Sequence, residues 1–280
     1  MRRTLLQSVL IYAAAVLLAV VTLAPLAWLF IMSIMEPKEL LAIPLQWLPA
    51  HPDFSRYARL LGFTGEVAQN PFLNALRNSL VAGLGSTVVA LVVSTLAAYA
   101  VARREITIVI LMLMMATYMM PPITFVLPLY TTFSGFGLLN NPLTLVAVYC
   151  TVLIPFASWL MKANIDVLPV EVEQAAAIDG AGTFTTLTQV VLPMARPALL
   201  ATGMLCFLIA WDEFFYALIF MSDLRGKTLP VAIADFAAGR VTDYGLIAAV
   251  GVLASLPPAL VAVIFQKNLV SGLAAGSVKG

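Results

Sequence analysis

Asp212 and Glu213 are adjacent carboxylates inside a run, 197–221, that carries no other charge. Charged side chains that deep in an apolar helix are expensive and face a cavity or a partner. Paired carboxylates also suit general acid–base chemistry, which needs a nucleophile or second base within reach. The chain offers none: its one histidine, His51, lies in a polar loop, and no serine sits in a recognisable nucleophile motif. The pair is read as lining the path of a polar solute or as a polar lock between helices. Cys150 and Cys206 both fall in apolar runs, as small buried thiols rather than a disulfide or metal site. Gly226-Lys227-Thr228 has the end of a phosphate-binding loop, but the glycine needed five positions earlier is Met221, so nucleotide binding is excluded there. No metal, cofactor or catalytic group is expected on this chain.

The remaining polar stretch with chemical character is EVEQAAAIDGAG, residues 171–182, which holds three of the 14 acidic residues. Pro169 suits a helix start, where an N–H is not needed. Glu171 and Glu173 fall in the first turn, where carboxylates complement the helix dipole. Ala175, Ala176 and Ala177 favour helix and add little bulk. Gly180 and Gly182 suit its end, and Thr183 is placed to cap a second short helix. The unit reads as helix, glycine turn, helix, with a small-residue face fit for a groove on a partner.

These residues are positioned by a membrane scaffold. Of the 280 residues 62% are hydrophobic and 10% charged, with a mean hydropathy of +1.00. Soluble domains carry roughly 25% charged residues, and a soluble fold of this length cannot hide that much apolar surface. A net charge of +1 with no basic run excludes nucleic acid as partner. The charge-free runs predict an all-α polytopic membrane protein, one domain over 1–280, with six transmembrane helices at about 9–34, 78–102, 107–130, 143–161, 197–221 and 244–266. The uncharged run from Thr4 to Met35 exceeds a signal-peptide core and reads as a retained first helix. Residues 135–142, GFGLLNNP, make the turn between the third and fourth spans. Residues 35–76 and 222–243 form polar loops on one side, and the loop 162–196 and the tail 267–280 lie on the other. Arg2, Arg3 and the tight turn at Arg103-Arg104 favour an N-terminus inside, which makes 162–196 cytoplasmic.

The segment from Gln174 onward resembles the "EAA" loop of ABC-importer permeases: Gln174-Ala175-Ala176, three residues, Gly180, nine residues, then Val190-Val191-Leu192-Pro193. The spacing matches throughout, with Gln174 in place of the usual Glu and Val190 in place of Ile. The likeness runs along the chain. Asn78-Ser79-Leu80, Leu96-Ala97-Ala98-Tyr99-Ala100, Leu127-Pro128-Leu129-Tyr130, Trp211-Asp212-Glu213-Phe214 and the tail Ser271–Gly280 are similar to carbohydrate-uptake permeases of the maltose-transporter small-subunit type. The resemblance implies an ABC type I importer permease fold in a bacterial or archaeal cell membrane, multi-pass, with both termini cytoplasmic. It implies half of an alternating-access pathway for a carbohydrate, a disaccharide such as trehalose or maltose; a glycerol phosphate or an oligosaccharide is the alternative. The implied partners are a second homologous permease, two cytoplasmic ATPase subunits that bind ATP and Mg, an extracytoplasmic sugar-binding protein and the lipid bilayer. Glu171, Glu173, Gln174, Ala175, Ala176, Asp179, Gly180, Leu192 and Pro193 would couple to the ATPase. Trp211, Asp212 and Glu213 would line the path or lock helices, Trp211 stacking on sugar or packing on the second permease. Gly276, Ser277, Val278, Lys279 and Gly280 would reach the ATPase interface. Two rival readings make demands the sequence does not meet. A membrane enzyme needs a base beside Asp212 and Glu213, and a stand-alone secondary transporter needs inverted repeats.

Overall fold

The computed structural model describes residues 5–63, 70–103, 108–223, 225–237 and 243–277, and among them every regular element is a helix. The residues group into two compact units, Met1–Leu73 with Ala232–Leu256, and Asn74–Val231 with Pro257–Gly280.

In the first unit, α1 (Leu5–Ser33) has apolar side chains on every side and no buried face in its span. Its polar contacts begin at its end. Ser33 Oγ donates to the Phe30 carbonyl at 2.6 Å and accepts from Tyr57 Oη at 2.6 Å. The short helix α2 (Pro37–Leu40) has proline in its first turn and a buried Glu39 whose carboxylate accepts from Ala50 N (2.9 Å) and Glu36 N (3.1 Å). Those N–H groups hold the Glu39 carboxyl below the ordinary carboxylate range. Arg56, on α3 (Ser55–Leu60), is 2% exposed. Its guanidinium donates to the carbonyls of Met35 (2.6 Å) and Ser33 (3.3 Å) and pairs with Asp243 at 3.2 Å. Asp243 in turn accepts from Leu246 N at 3.0 Å, capping α14 (Tyr244–Ser277). Gly245 lies against the same guanidinium, where a Cβ would collide.

The second unit is built on α4 (Pro71–Arg103), α7 (Pro142–Ile165) and α11 (Arg196–Trp211). At 33 residues α4 is about 50 Å long, beyond the roughly 30 Å hydrocarbon thickness, so its ends stand clear of the lipid core. Apolar packing is no driving force between helices in lipid, and small residues let backbones approach. Gly85 on α4 leaves room for Val146 of α7, where a Cβ would sit 2.8 Å from a valine methyl. The core gathers Ala82 and Ala90 of α4, Leu145, Val148 and Leu153 of α7, and Cys206 and Ala210 of α11. Cys150 and Cys206 are buried free thiols, as their apolar setting predicts.

Two spans expected as single helices are each two. Over 107–130 the structure has α5 (Val109–Tyr118) and α6 (Ile123–Gly135), bent by 92°. The cause is Pro121-Pro122, which cannot donate to the Thr117 and Tyr118 carbonyls. Over 197–221, α11 stops at Trp211 and α12 (Phe215–Phe220) restarts after a three-residue break. At its other end, after α8 (Val170–Ile178), the chain runs α9 (Thr183–Thr186), a π-helical turn over Leu187–Val191 and α10 (Leu192–Met194), and then meets α11 at a 79° bend between Pro193 and Pro197. A last short helix, α13 (Leu229–Ala237), precedes α14. α14 continues helically to Ser277, so the tail expected from 267 onward begins as helix; Gly276 and Ser277 belong to it, and Val278, Lys279 and Gly280 lie outside the described residues.

Candidate functional site

The segment between the fourth and fifth spans folds as its residue types dictate. α7 closes with a Lys162–Asp166 ion pair at 2.5 Å, one helical turn apart. Pro169 is the N-cap of α8 rather than its first residue, and Glu171 and Glu173 occupy the first turn. The helix ends in a Schellman motif: Gly180 N donates to the Ala177 carbonyl (3.1 Å), Ala181 N to that of Ala176 (2.9 Å), and Gly180 has φ +87°. The expected cap of the second helix shifts by one: Gly182 is the N-cap and Thr183 the first helical residue.

Space is open around Gly180, so a side chain there meets only the left-handed backbone penalty of about 1–2 kcal/mol. Gly180→Leu is therefore expected to loosen the end of α8 and to lower transport by the assembled complex. Gly180→Asn, whose side chain tolerates that conformation, should retain most of it. Equal uptake by the two variants would sink the capping role.

α8 is bolted to the end of α4. The Glu173 carboxylate takes Arg103 Nε at 2.7 Å and Tyr99 Oη at 3.1 Å, and both charged side chains are only 11–12% exposed. Arg103 Nη2 also donates to the carbonyls of Ile165 (2.9 Å) and Leu168 (3.2 Å), at the end of α7 and just before α8. Beneath, Ala98 and Tyr99 of α4, Met161 and Ile165 of α7, and Leu187 and Val191 of the π turn form one apolar cluster, with Leu192 packed against it.

The coupling residues therefore divide by face. Glu173 and Ala176 turn inward and are partly buried; Glu171, Gln174, Ala175, Ile178 and Asp179 make the exposed row at i, i+3, i+4, i+7 and i+8. Ile178 is 87% exposed and Phe184, on α9, 74%. Pro193 lies exposed at the bend before α11. Sequence reasoning had offered Glu173 as a stand-in for the charge missing at Gln174. The geometry gives Glu173 an internal partner and leaves Gln174 on the outer row.

The carboxylates of the fifth span have unlike roles. Glu213 accepts from Tyr216 N (2.8 Å) and Ala217 N (3.1 Å), satisfying the first amides of α12 where lipid offers no water to do so. Asp212 is exposed at the C-cap of α11. Trp211 is buried, its ring 5.4 Å from Phe207 and its edge against Gly83 of α4. Replacing Glu213 by Ala strips that cap and is expected to cost about 1–2 kcal/mol. A fall in the thermal midpoint of the purified complex checks it, with Glu213→Gln, which keeps acceptor oxygen, falling less.

Three ties were missed from sequence. Arg103 and Tyr99 served there as a topology marker and a family match, not as partners of Glu173. Asn78 Nδ2 donates to the carbonyls of Arg225 (2.8 Å) and Lys227 (3.1 Å), and Ser79 Oγ accepts from Leu229 N (2.8 Å), so the Asn-Ser pair pins the loop before α13. Asn140, at φ +59°, takes Asp223 N on its side-chain oxygen at 2.8 Å. The signal was present in the residue types, but the partners lie 83 to 150 positions away.

The family model described as "Binding-protein-dependent transport system inner membrane component" matches residues 90–274. The trehalose/maltose transport system permease protein MalG of Thermococcus litoralis is 33% identical, with all of both chains covered. The sulfoquinovosyl glycerol transport system permease protein SmoH of Agrobacterium fabrum is also 33% identical, over 96% of this chain and 93% of that one. Among solved structures, one chain of a bacterial ABC transporter involved in the import of the acidic polysaccharide alginate superposes with a TM-score of 0.76 at 22% identity, covering 95% of this chain and 99% of its own, and thus shares the fold.

Proposed function

The chain belongs to the family of binding-protein-dependent transport system inner membrane components, and from that premise we propose that it is the permease subunit of an ATP-binding-cassette sugar importer. It forms half of the translocation pathway, beside a second homologous permease, and takes a disaccharide such as trehalose or maltose from an extracytoplasmic binding protein. Two cytoplasmic ATPase subunits supply the energy and hold the ATP and Mg; this chain carries out no catalysis. Both termini lie in the cytoplasm.

The observation that carries the reading is α8. It is locked inward by Glu173 and Arg103 while its outer row presents Gln174, Ala175 and Ile178 with little bulk. A short helix held rigidly at a membrane surface with an unfilled outer face is suited to seat in a cleft on an ATPase and to carry its closure into α7 and α11. Glu171 and Asp179 flank that face, Leu192 and Pro193 join it to the fifth span, and the tail at Gly276–Gly280 is assigned to the same ATPase interface.

Sulfoquinovosyl glycerol is a second cargo, favoured by one observation: a relative at the same 33% identity is named for its transport. Co-purification with the second permease and ATPase subunits, followed by ATP-driven uptake into proteoliposomes loaded with binding protein, tests the reading. Trehalose or maltose uptake that stops without ATP is the expected result. Solute flux through this chain alone, without ATP, would overturn it.

A further inference from the structure

Two helix breaks of the second unit converge on one cavity. Its volume is about 510 Å3, within the roughly 300–1,000 Å3 of small-molecule sites. Thr117 and Tyr118 line it from the end of α5, Phe125 from α6, Thr151 and Val152 from α7, and Tyr216 from the first turn of α12. The double proline at 121–122 opens the third span on one side, and the break at 212–214 opens the fifth beside Tyr216. Discontinuous helices near the membrane midplane are where transporters place polar solutes, because irregular backbone there is tolerated only against protein or a water-filled cavity.

The lining has a definite chemistry. Thr117 Oγ1 donates its proton to the Met114 carbonyl at 2.7 Å, and Thr151 Oγ1 donates to that of Val148 at 2.7 Å. With their one proton committed to backbone, both hydroxyls face a ligand as acceptors. Tyr118 stacks on Phe156 with ring centroids 5.9 Å apart and planes 25° from parallel, which fixes a flat apolar face at the rim. Behind them a void of about 30 Å3, the size of one water, shares Val152 and Tyr216 with the cavity and reaches Glu213 and Tyr149. Acceptor hydroxyls beside a rigid aromatic face match a ring that carries hydroxyl donors on its edge and C–H groups on its face. A phospholipid tail would leave the threonine lone pairs without donors.

We propose that this cavity is a carbohydrate subsite within the permease itself, Thr117 and Thr151 accepting hydrogen bonds from sugar hydroxyls and Tyr118 supporting a pyranose face. The assignment rests on the sugar-import reading above and adds to it a contact made by this subunit, distinct from delivery by the binding protein. Asp212 and Trp211 have no part in it, and Glu213 acts through Tyr216 by capping α12.

The test uses the complete transporter in proteoliposomes, with trehalose and maltose as probes. Binding-protein-stimulated ATP hydrolysis is measured beside uptake. Thr151→Val and Tyr118→Leu preserve volume and remove the acceptor and the aromatic face. Each is expected to lower sugar uptake at least tenfold while hydrolysis stays within twofold of the unmodified complex; Thr151→Ser, which restores the hydroxyl, should return uptake to within threefold. Unchanged uptake in both variants overturns the subsite and leaves the importer reading standing. Parallel loss of hydrolysis and uptake in both variants makes the two residues structural and overturns it as well. No uptake of either sugar by the unmodified complex overturns the disaccharide reading on which the subsite rests.

Discussion

Glu173→Gln is expected to cut ATP-driven uptake by the assembled transporter at least tenfold while leaving the subunits associated. α8 has nine residues, too few to hold its own shape at a membrane surface, since isolated helices below roughly 12–15 residues are marginal. Its position comes from the carboxylate between Arg103 Nε and Tyr99 Oη. Hydrogen bonds to charged groups contribute about 1.5–3 kcal/mol each when buried, and the pair keeps some solvent contact, so the total lost is about 2 kcal/mol. That is roughly a 30-fold shift in how often α8 is docked on α4. Arg103→Lys should be nearly as damaging, because one ammonium cannot serve the carboxylate and the Ile165 and Leu168 carbonyls in a planar fork. Exchanging the two residues, Arg103→Glu with Glu173→Arg, restores the ion pair but not the carbonyl contacts, and should recover part of the loss. The ratio of sugar taken up to ATP hydrolysed reads this directly; full coupling in Glu173→Gln would show that α8 needs no anchor.

The second large effect belongs to Arg56. Arg56→Met strips Asp243 of its cation and leaves the Ser33 and Met35 carbonyls without donors at the end of α1. Removing one partner of a buried pair costs about 3–5 kcal/mol; Asp243 is partly exposed, so the lower end applies. A fall of about 10 °C in the thermal midpoint of the purified complex follows from about 3 kcal/mol in a chain of this size. Asp243→Asn keeps the cap on Leu246 N and should fall by less. The double change Arg56→Met with Asp243→Leu removes both charges and should regain part of the stability, as replacements of buried pairs by apolar residues often do. A shift below about 2 °C in Arg56→Met would rule out the clamp.

Composition, hydropathy and motif spacing were enough for the all-helical membrane class, for the family and for the helix–glycine–helix segment at 170–194. Those features are local: an apolar run must lie in lipid, a run of alanines between a proline and a glycine must be a short helix, and Gly180 must take a conformation that other residues resist. What local pattern could not reveal was where helices break and who meets whom. The run 197–221 is uniformly apolar apart from two carboxylates, so it read as one span, while the chain stops at Trp211 and uses Glu213 to start again. Pro121 and Pro122 were visible as a kink but not as a 92° turn with a cavity beside it. Arg103 and Glu173 stand 70 positions apart and Arg56 and Asp243 187 apart. A carboxylate's residue type announces that it needs a partner; only the packed structure decides whether that partner is water, a second subunit or an arginine of its own chain, because the choice is made by distance and burial rather than by order along the sequence.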